Sequence, residues 1–177
     1  MFDETRYFEP GSESTVACLD GERFGLTVCE DIWFEGRGYR IDPVRNILDT
    51  ETVSLDFLVN ISASPYHHGK INERNAVFSS LCRKNRLPLL YVNQVGGQDS
   101  LIFDGRSMVF DPRGVMVASA PGFRENMLIV DSKKWPAAPG LDLPEDSTAT
   151  VLEALTLGVR DYLHKTGFKT AVIGLSG

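Results

Sequence analysis

Disulfide chemistry is the first thing missing: the sequence holds three cysteines, Cys18, Cys29 and Cys82, an odd set with no Cys-x-x-Cys pair. Neither a disulfide framework nor a cysteine-rich zinc site is suggested, and a reducing cytoplasm is the expected location. Basic charge is also short, with 18 Lys and Arg against 24 Asp and Glu and a net charge of -6. Phosphate neutralisation and attraction to lipid headgroups need the opposite balance, so neither nucleic acid nor a membrane surface is an expected partner. No apolar run approaches the roughly 20 residues of a membrane span. The start, Met1-Phe-Asp-Glu-Thr-Arg-Tyr-Phe8, has neither a basic cluster nor an apolar stretch of the secretory kind. What is there is a chain of 177 residues, 42% hydrophobic, long enough for one core and the beginning of a second domain. Small-molecule chemistry fits it best.

Hydrophobic patterning predicts a layered α/β organisation. Thr15 to Leu19 and Phe24 to Cys29 read as a hairpin around the Asp20-Gly21 turn, which sets Cys29 at a strand's end. Pro43 to Asp49 suits a short helix, and Leu55 to Ile61 a strand buried on both faces. After the turn-rich Ser62 to Lys70, a helix opening at Asn72 places Ile71, Phe78, Leu81 and Cys82 near one face and ends by Pro88. Leu89 to Val95 reads as a buried strand stopped by Gly96-Gly97. Further strands are predicted at Leu101 to Phe103, Ser107 to Phe110, Val115 to Ser119 and Met127 to Val130, with Asp111 to Gly114 as a turn. Lys133 to Asp146, rich in proline, reads as an exposed linker. Beyond it an amphipathic helix over Thr148 to Lys165 carries Leu152, Leu155, Val159, Tyr162 and Leu163 on one stripe, with Gly167 as its stop. Thr170 to Gly177 suits a strand running into a Gly/Ser loop cut inside a motif.

A cysteine is most often a small buried hydrophobe, and Cys18 and Cys82 are expected to be that. Cys29 differs, because the run Phe-Gly-Leu-Thr-Val delivers its sulfur to an edge where Glu30 and Asp31 begin. A nucleophilic thiol needs such an edge, a base or cation nearby, and a donor for the developing oxyanion, for which the Glu30 N–H is one candidate. The pair His67-His68 invites a metal, yet no acidic or cysteine partner stands at ligand spacing and none is expected. Asp104 and Arg106 suit an ion pair or turn contacts.

Four blocks carry a family resemblance: Val28-Cys-Glu-Asp-Ile-Trp33, Asn60-Ile-Ser-Ala-Ser-Pro-Tyr-His-His-Gly-Lys70, Tyr91-Val-Asn-Gln-Val-Gly-Gly-Gln-Asp99 and Phe103-Asp-Gly-Arg-Ser-Met-Val-Phe-Asp-Pro-Arg-Gly114. In this order they resemble the nitrilase-type glutaminase domain of glutamine-dependent NAD(+) synthetases. The resemblance implies a four-layer α-β-β-α sandwich of the carbon-nitrogen hydrolase kind, here truncated at its N-terminus. It divides the chain into residues 1–132 as a partial glutaminase domain, 133–147 as linker and 148–177 as the start of an ATP pyrophosphatase-type synthetase domain. It further implies a Glu/Lys/Cys triad in which Cys29 is the nucleophile, while no position of this sequence matches the glutamate base or the oxyanion lysine. Glu30, Ser64 and Lys70 match positions near the glutamine, Trp33 would line the pocket wall, and Glu4 matches a supporting carboxylate. Gly174, Leu175, Ser176 and Gly177 resemble the start of the Ser-Gly-Gly-x-Asp-Ser pyrophosphate loop. The implied partners are L-glutamine, the chain's own synthetase domain and further copies in a homo-oligomer. ATP and Mg are implied for the synthetase domain and no cofactor for this piece. Two other functions fit the residues: a stand-alone amidase of the same superfamily, and a non-catalytic interaction fragment.

Overall fold

The structure is a computed structural model and describes residues 6–9, 11, 13, 15–33, 41–50, 54–135, 140–143 and 147–176. Strands β1 (Thr15–Leu19), β2 (Glu22–Val28), β3 (Phe57–Ser62), β4 (Leu89–Asn93), β7 (Met108–Phe110) and β8 (Met116–Ser119) form one six-stranded sheet in the order β1-β2-β3-β4-β7-β8. A parallel neighbour requires a crossover, and α1 (Pro43–Thr50) and α2 (Lys70–Asn85) supply it between β2, β3 and β4, which run parallel. The remaining pairings are antiparallel. β5 (Val95–Gln98) and β6 (Leu101–Asp104) make a separate hairpin, and α3 (Thr148–Thr166) lies against it.

The core lies on one sheet face. Leu58, Leu89, Tyr91, Met108 and Phe110 meet Ile71, Phe78 and Cys82 of α2 and Val44 of α1. Phe78 packs edge-on against Trp33 and Phe110, so one helix side chain ties the loop after β2 to strand β7. The turn between β7 and β8 closes with the Gly114 N–H on the Asp111 carbonyl, and Gly114 holds φ at +76°. A Cβ there would strike the Ser79 carbonyl of α2, so that glycine serves both turn and packing.

Several expectations need correction. The strand over Leu55 to Ile61 begins at Phe57 and is buried on alternate residues only, Ile61 being 56% exposed. Its other face, with Val28 and Val92 in register beside Ile61, is open at that end among the described residues. Leu89 to Val95 is two strands, because the chain leaves the sheet at Gln94, whose N–H donates to the Ser62 carbonyl, and Gly96-Gly97 lies inside β5. Met127 to Val130 and Thr170 to Ser176 are not strands: among the described residues no strand pairs with them, and Ile129 and Val172 face solvent. Cys18 is exposed, since β1 is an edge strand. Gly140 to Leu143, in the expected linker, run along β8, with the Leu141 N–H donating to the Met116 carbonyl and Leu143 packing on the core.

The last helix is turned from its expected face. Leu152, Leu155, Val159 and Tyr162 are exposed, while Thr150, Ala154 and Leu157 are buried. Small residues win because α3 comes very close to the hairpin: a Cβ on Gly97 would stand 3.0 Å from the Gly158 Cα. Asp161 accepts the Gly97 N–H at 2.8 Å, and Lys165 donates to the Gly97 carbonyl at 2.6 Å.

Candidate active site

Because β2, β3 and β4 are parallel, the loops that follow them leave the sheet at one edge, where ligands of open α/β sheets collect. There Cys29, Glu30, Trp33, Ser64, Pro65, His67 and Lys70 line one cavity of about 150 Å3. In an apolar core that volume holds a benzene-sized guest. The structure thus gathers five of the site residues read from the sequence, Cys29, Glu30, Trp33, Ser64 and Lys70, across 41 positions of chain. Glu4 and Gly177 lie outside the described residues. Gly174 to Ser176 are exposed and do not line the cavity.

Cys29 opens a 3-10 turn, Cys29–Ile32, directly after β2. Its φ is +47°, a left-handed value that strains a residue with a Cβ by roughly 1–3 kcal/mol, and such strain concentrates at functional positions. The turn is fixed from both ends. The Val28 N–H donates to Asp31 Oδ2 at 2.7 Å, and the Trp33 N–H donates to the Glu30 carbonyl at 2.8 Å. Asn60, wholly buried, donates from Nδ2 to Thr27 Oγ1 at 3.0 Å and to the Cys29 carbonyl at 3.4 Å. Since a trans peptide sets its N–H opposite its C=O, Asn60 also orients the Glu30 N–H away from itself. A thiol, a fixed peptide N–H and a carboxylate therefore share one short turn.

Lys70 is the first residue of α2, following Gly69 in a left-handed conformation. Its ammonium lies 4.3 Å from the centre of the Trp33 ring and 3.0 Å from Glu73 Oε2. His67 reaches the other oxygen of the same carboxylate at 3.6 Å. Trp33 is itself buried, so the cation stands on an apolar wall. A negatively charged ligand group can compete for Lys70, and a cationic one can meet Glu30.

Ser64 is 5% exposed and enclosed by polar side chains. Its N–H donates to Asn93 Oδ1 at 2.9 Å, and its carbonyl and Oγ accept from Arg74 at 2.9 and 3.2 Å. Arg74, fully buried on α2, also holds both Asp104 oxygens at 2.8 Å, and Arg106 Nε lies 3.7 Å from Asp104. Two residues on, the Tyr66 N–H donates to the Ile102 carbonyl at 2.7 Å, and the Tyr66 ring packs against the cluster of Phe123, Ala154 and Leu157.

Sequence reasoning left Arg74, Glu73, Asn93 and Tyr66 without a role. Arg74 had a signal: it falls on the apolar stripe of α2 between Ile71 and Phe78, where a solvated arginine does not belong. Burial pushes the Cys82 thiol up to about 12, with nearby Asp111 adding to the effect, which fits its expected core role.

This fold, with a cysteine on a strained turn at the sheet edge, defines a class, and comparison with known proteins names it. Residues 1–134 match the carbon-nitrogen hydrolase family, and the chain belongs to that family. Over its whole length it is similar to glutamine-dependent NAD(+) synthetases: 38% identical to that of Synechocystis sp. and 37% to that of Acinetobacter baylyi. It spans about a third of these relatives, 33% and 32% of their lengths. Among solved structures, the glutamine-dependent NAD+ synthetase from Acinetobacter baumannii in complex with ADP superimposes with a TM-score of 0.74 at 33% identity, over 94% of this chain and 30% of that one. A nitrilase-superfamily amidase from Nesterenkonia, 22% identical over 66% of this chain and 40% of its own, shares the fold with a TM-score of 0.54.

Proposed function

We propose that the Cys29 cavity binds L-glutamine and that Cys29 attacks its side-chain amide carbon. The carbon–nitrogen bond breaks, ammonia leaves with the proton taken up from the thiol, and water hydrolyses the thioester to glutamate. The ammonia would serve amidation of nicotinic acid adenine dinucleotide in the domain that completes the relatives. One observation carries this reading: a thiol on a strained turn shares a cavity with a carboxylate, an ammonium and a hydroxyl, the groups that meet an amino acid's own ammonium and carboxylate. Glu30 would take the ligand ammonium, Lys70 and Ser64 its carboxylate, and Trp33 would wall the side chain. Glu4 would support the site from the matching block near the start.

The domain division at 133–147, the homo-oligomer and the cytoplasmic setting belong to the same proposal. Gly174 to Ser176 would open the pyrophosphate loop of the synthetase domain, their backbone N–H groups being of the kind that meets phosphate. The ATP- and Mg-dependent step would belong to the synthetase domain that this loop begins. Since no position matches the glutamate base or the oxyanion lysine, turnover by the 177-residue chain alone should be negligible, each such group being worth orders of magnitude in rate.

The test is substrate protection. Iodoacetamide alkylation of Cys29, read by peptide mass spectrometry, should slow in L-glutamine and be unchanged in D-glutamine, while Cys18 shows no protection. Equal labelling of Cys29 with and without L-glutamine would sink the proposal.

A further inference from the structure

His67 lines the cavity, and its two ring nitrogens stand in different settings. Nδ1 lies 2.9 Å from the His68 carbonyl, an oxygen that can only accept, so this contact assigns the hydrogen of the neutral ring to Nδ1. Nε2 then has a lone pair alone, and it faces Glu73 Oε1 at 3.6 Å with no hydrogen between them. A proton added to the ring goes to Nε2 and turns that contact into an ion pair.

The other Glu73 oxygen, Oε2, accepts from the Lys70 ammonium at 3.0 Å. One stretch of chain holds the three groups together: the Lys70 N–H donates to the His67 carbonyl, and Lys70 and Glu73 stand three apart in the first turn of α2. Cys29 and Glu30, from the turn after β2, are the other titratable groups lining the cavity among the described residues, and His68 is next in the chain. While His67 is neutral, Glu73 balances Lys70, and a ligand carboxylate must compete with it. Once His67 is charged, the imidazolium balances Glu73 and Lys70 has charge to spare.

We propose that Glu73 is a positioning residue that holds Lys70 away from a bound carboxylate, and that a proton on His67 draws Glu73 off Lys70 and strengthens capture of that carboxylate. This rests on the glutamine reading and deepens it, since the grip on the amino acid's own carboxylate becomes a function of pH. Imidazoles exchange the proton in a range where such a carboxylate stays charged. Both His67 and Glu73 side chains are about half exposed, so replacing either with glutamine leaves the core untouched.

The experiment measures, on the 177-residue chain, the L-glutamine concentration that halves iodoacetamide labelling of Cys29 at about pH 5.5 and pH 7.5, on either side of an ordinary imidazole. A half-protecting concentration reads binding apart from thiol reactivity, and any titration of Cys29, Glu30, His68 or the ligand is shared by every variant. In the parent it should rise about threefold from the lower pH to the higher, the scale of one exposed ion pair. His67→Gln should be flat at the parent's high-pH value, because it cannot take the proton. Glu73→Gln should be flat at the parent's low-pH value, because the competitor for Lys70 is gone. A pH response that survives in Glu73→Gln would set His67 on the ligand itself and overturn the proposal, as would weaker protection in Glu73→Gln than in the parent at the higher pH. A parent protected equally at both pH values overturns this inference alone. A parent that L-glutamine protects at neither overturns the glutamine reading and this inference with it.

Discussion

Cys29 and Cys82 differ in what surrounds them, and that decides their chemistry. Cys82 faces the sheet among aliphatic and aromatic side chains, with its thiol held protonated to about 12. At pH 8, iodoacetamide should modify Cys18 and Cys29 and leave Cys82 intact until the chain is unfolded, as peptide mapping would show. Because the folded thiol keeps its proton above the ordinary value of 9.0, its contribution to stability is whole below pH 9 and is lost as pH rises towards 12. The buried Arg74 and Asp104 pair bears on stability differently. Asp104→Ala leaves a guanidinium without its partner and should lower unfolding free energy by about 3–5 kcal/mol in urea titrations. The position of Cys29 was legible because an apolar run followed by acidic residues marks a strand end. Arg74 was harder to read, since its partners lie 10 and 30 positions away and local pattern gives no distance between them.

Elements were legible where the pattern was local and turned out differently where a neighbour decided. The hairpin β1–β2, helix α2 and helix α3 all stand close to their predicted limits, since alternation, capping and helical spacing are properties of adjacent residues. Which face α3 buries is a tertiary matter, settled by the glycines of the hairpin. Gly97→Ala should therefore force α3 off β5 and lower the melting temperature, whereas Gly167→Ala, with open space around it, would act only through its left-handed φ of +79°. The docking should also respond to pH. Burial opposes ionisation of Asp161, but the Gly97 N–H, with Arg160 and Lys165, outweighs it and brings the carboxyl below its ordinary value. Its contribution is thus full at neutral pH and fades as pH falls from the ordinary aspartate value through the lowered one. In Asp161→Asn that acid-dependent component of melting should be absent.

For the molecule as a whole, the sheet buries one face and leaves Val28, Ile61 and Val92 half open on the other, in a row across three parallel strands. A contiguous apolar patch of this kind promotes association, so light scattering should show concentration-dependent self-association of the chain, reduced in Ile61→Lys. The four-layer sandwich implied by the family resemblance would set another sheet against this face. Strand β3 looked doubly buried because apolar residues on both faces say nothing about what covers them, and its alternate burial emerges only in the folded sheet. The packing next to the Ser64 to Lys70 segment reaches furthest along the chain. Tyr66, two steps along the backbone from Ser64, is seated on Ala154 and Leu157 of the final helix. A substitution that shifts α3 should therefore also shift the Tyr66 ring and, through it, the stretch of backbone that carries Ser64 and His67.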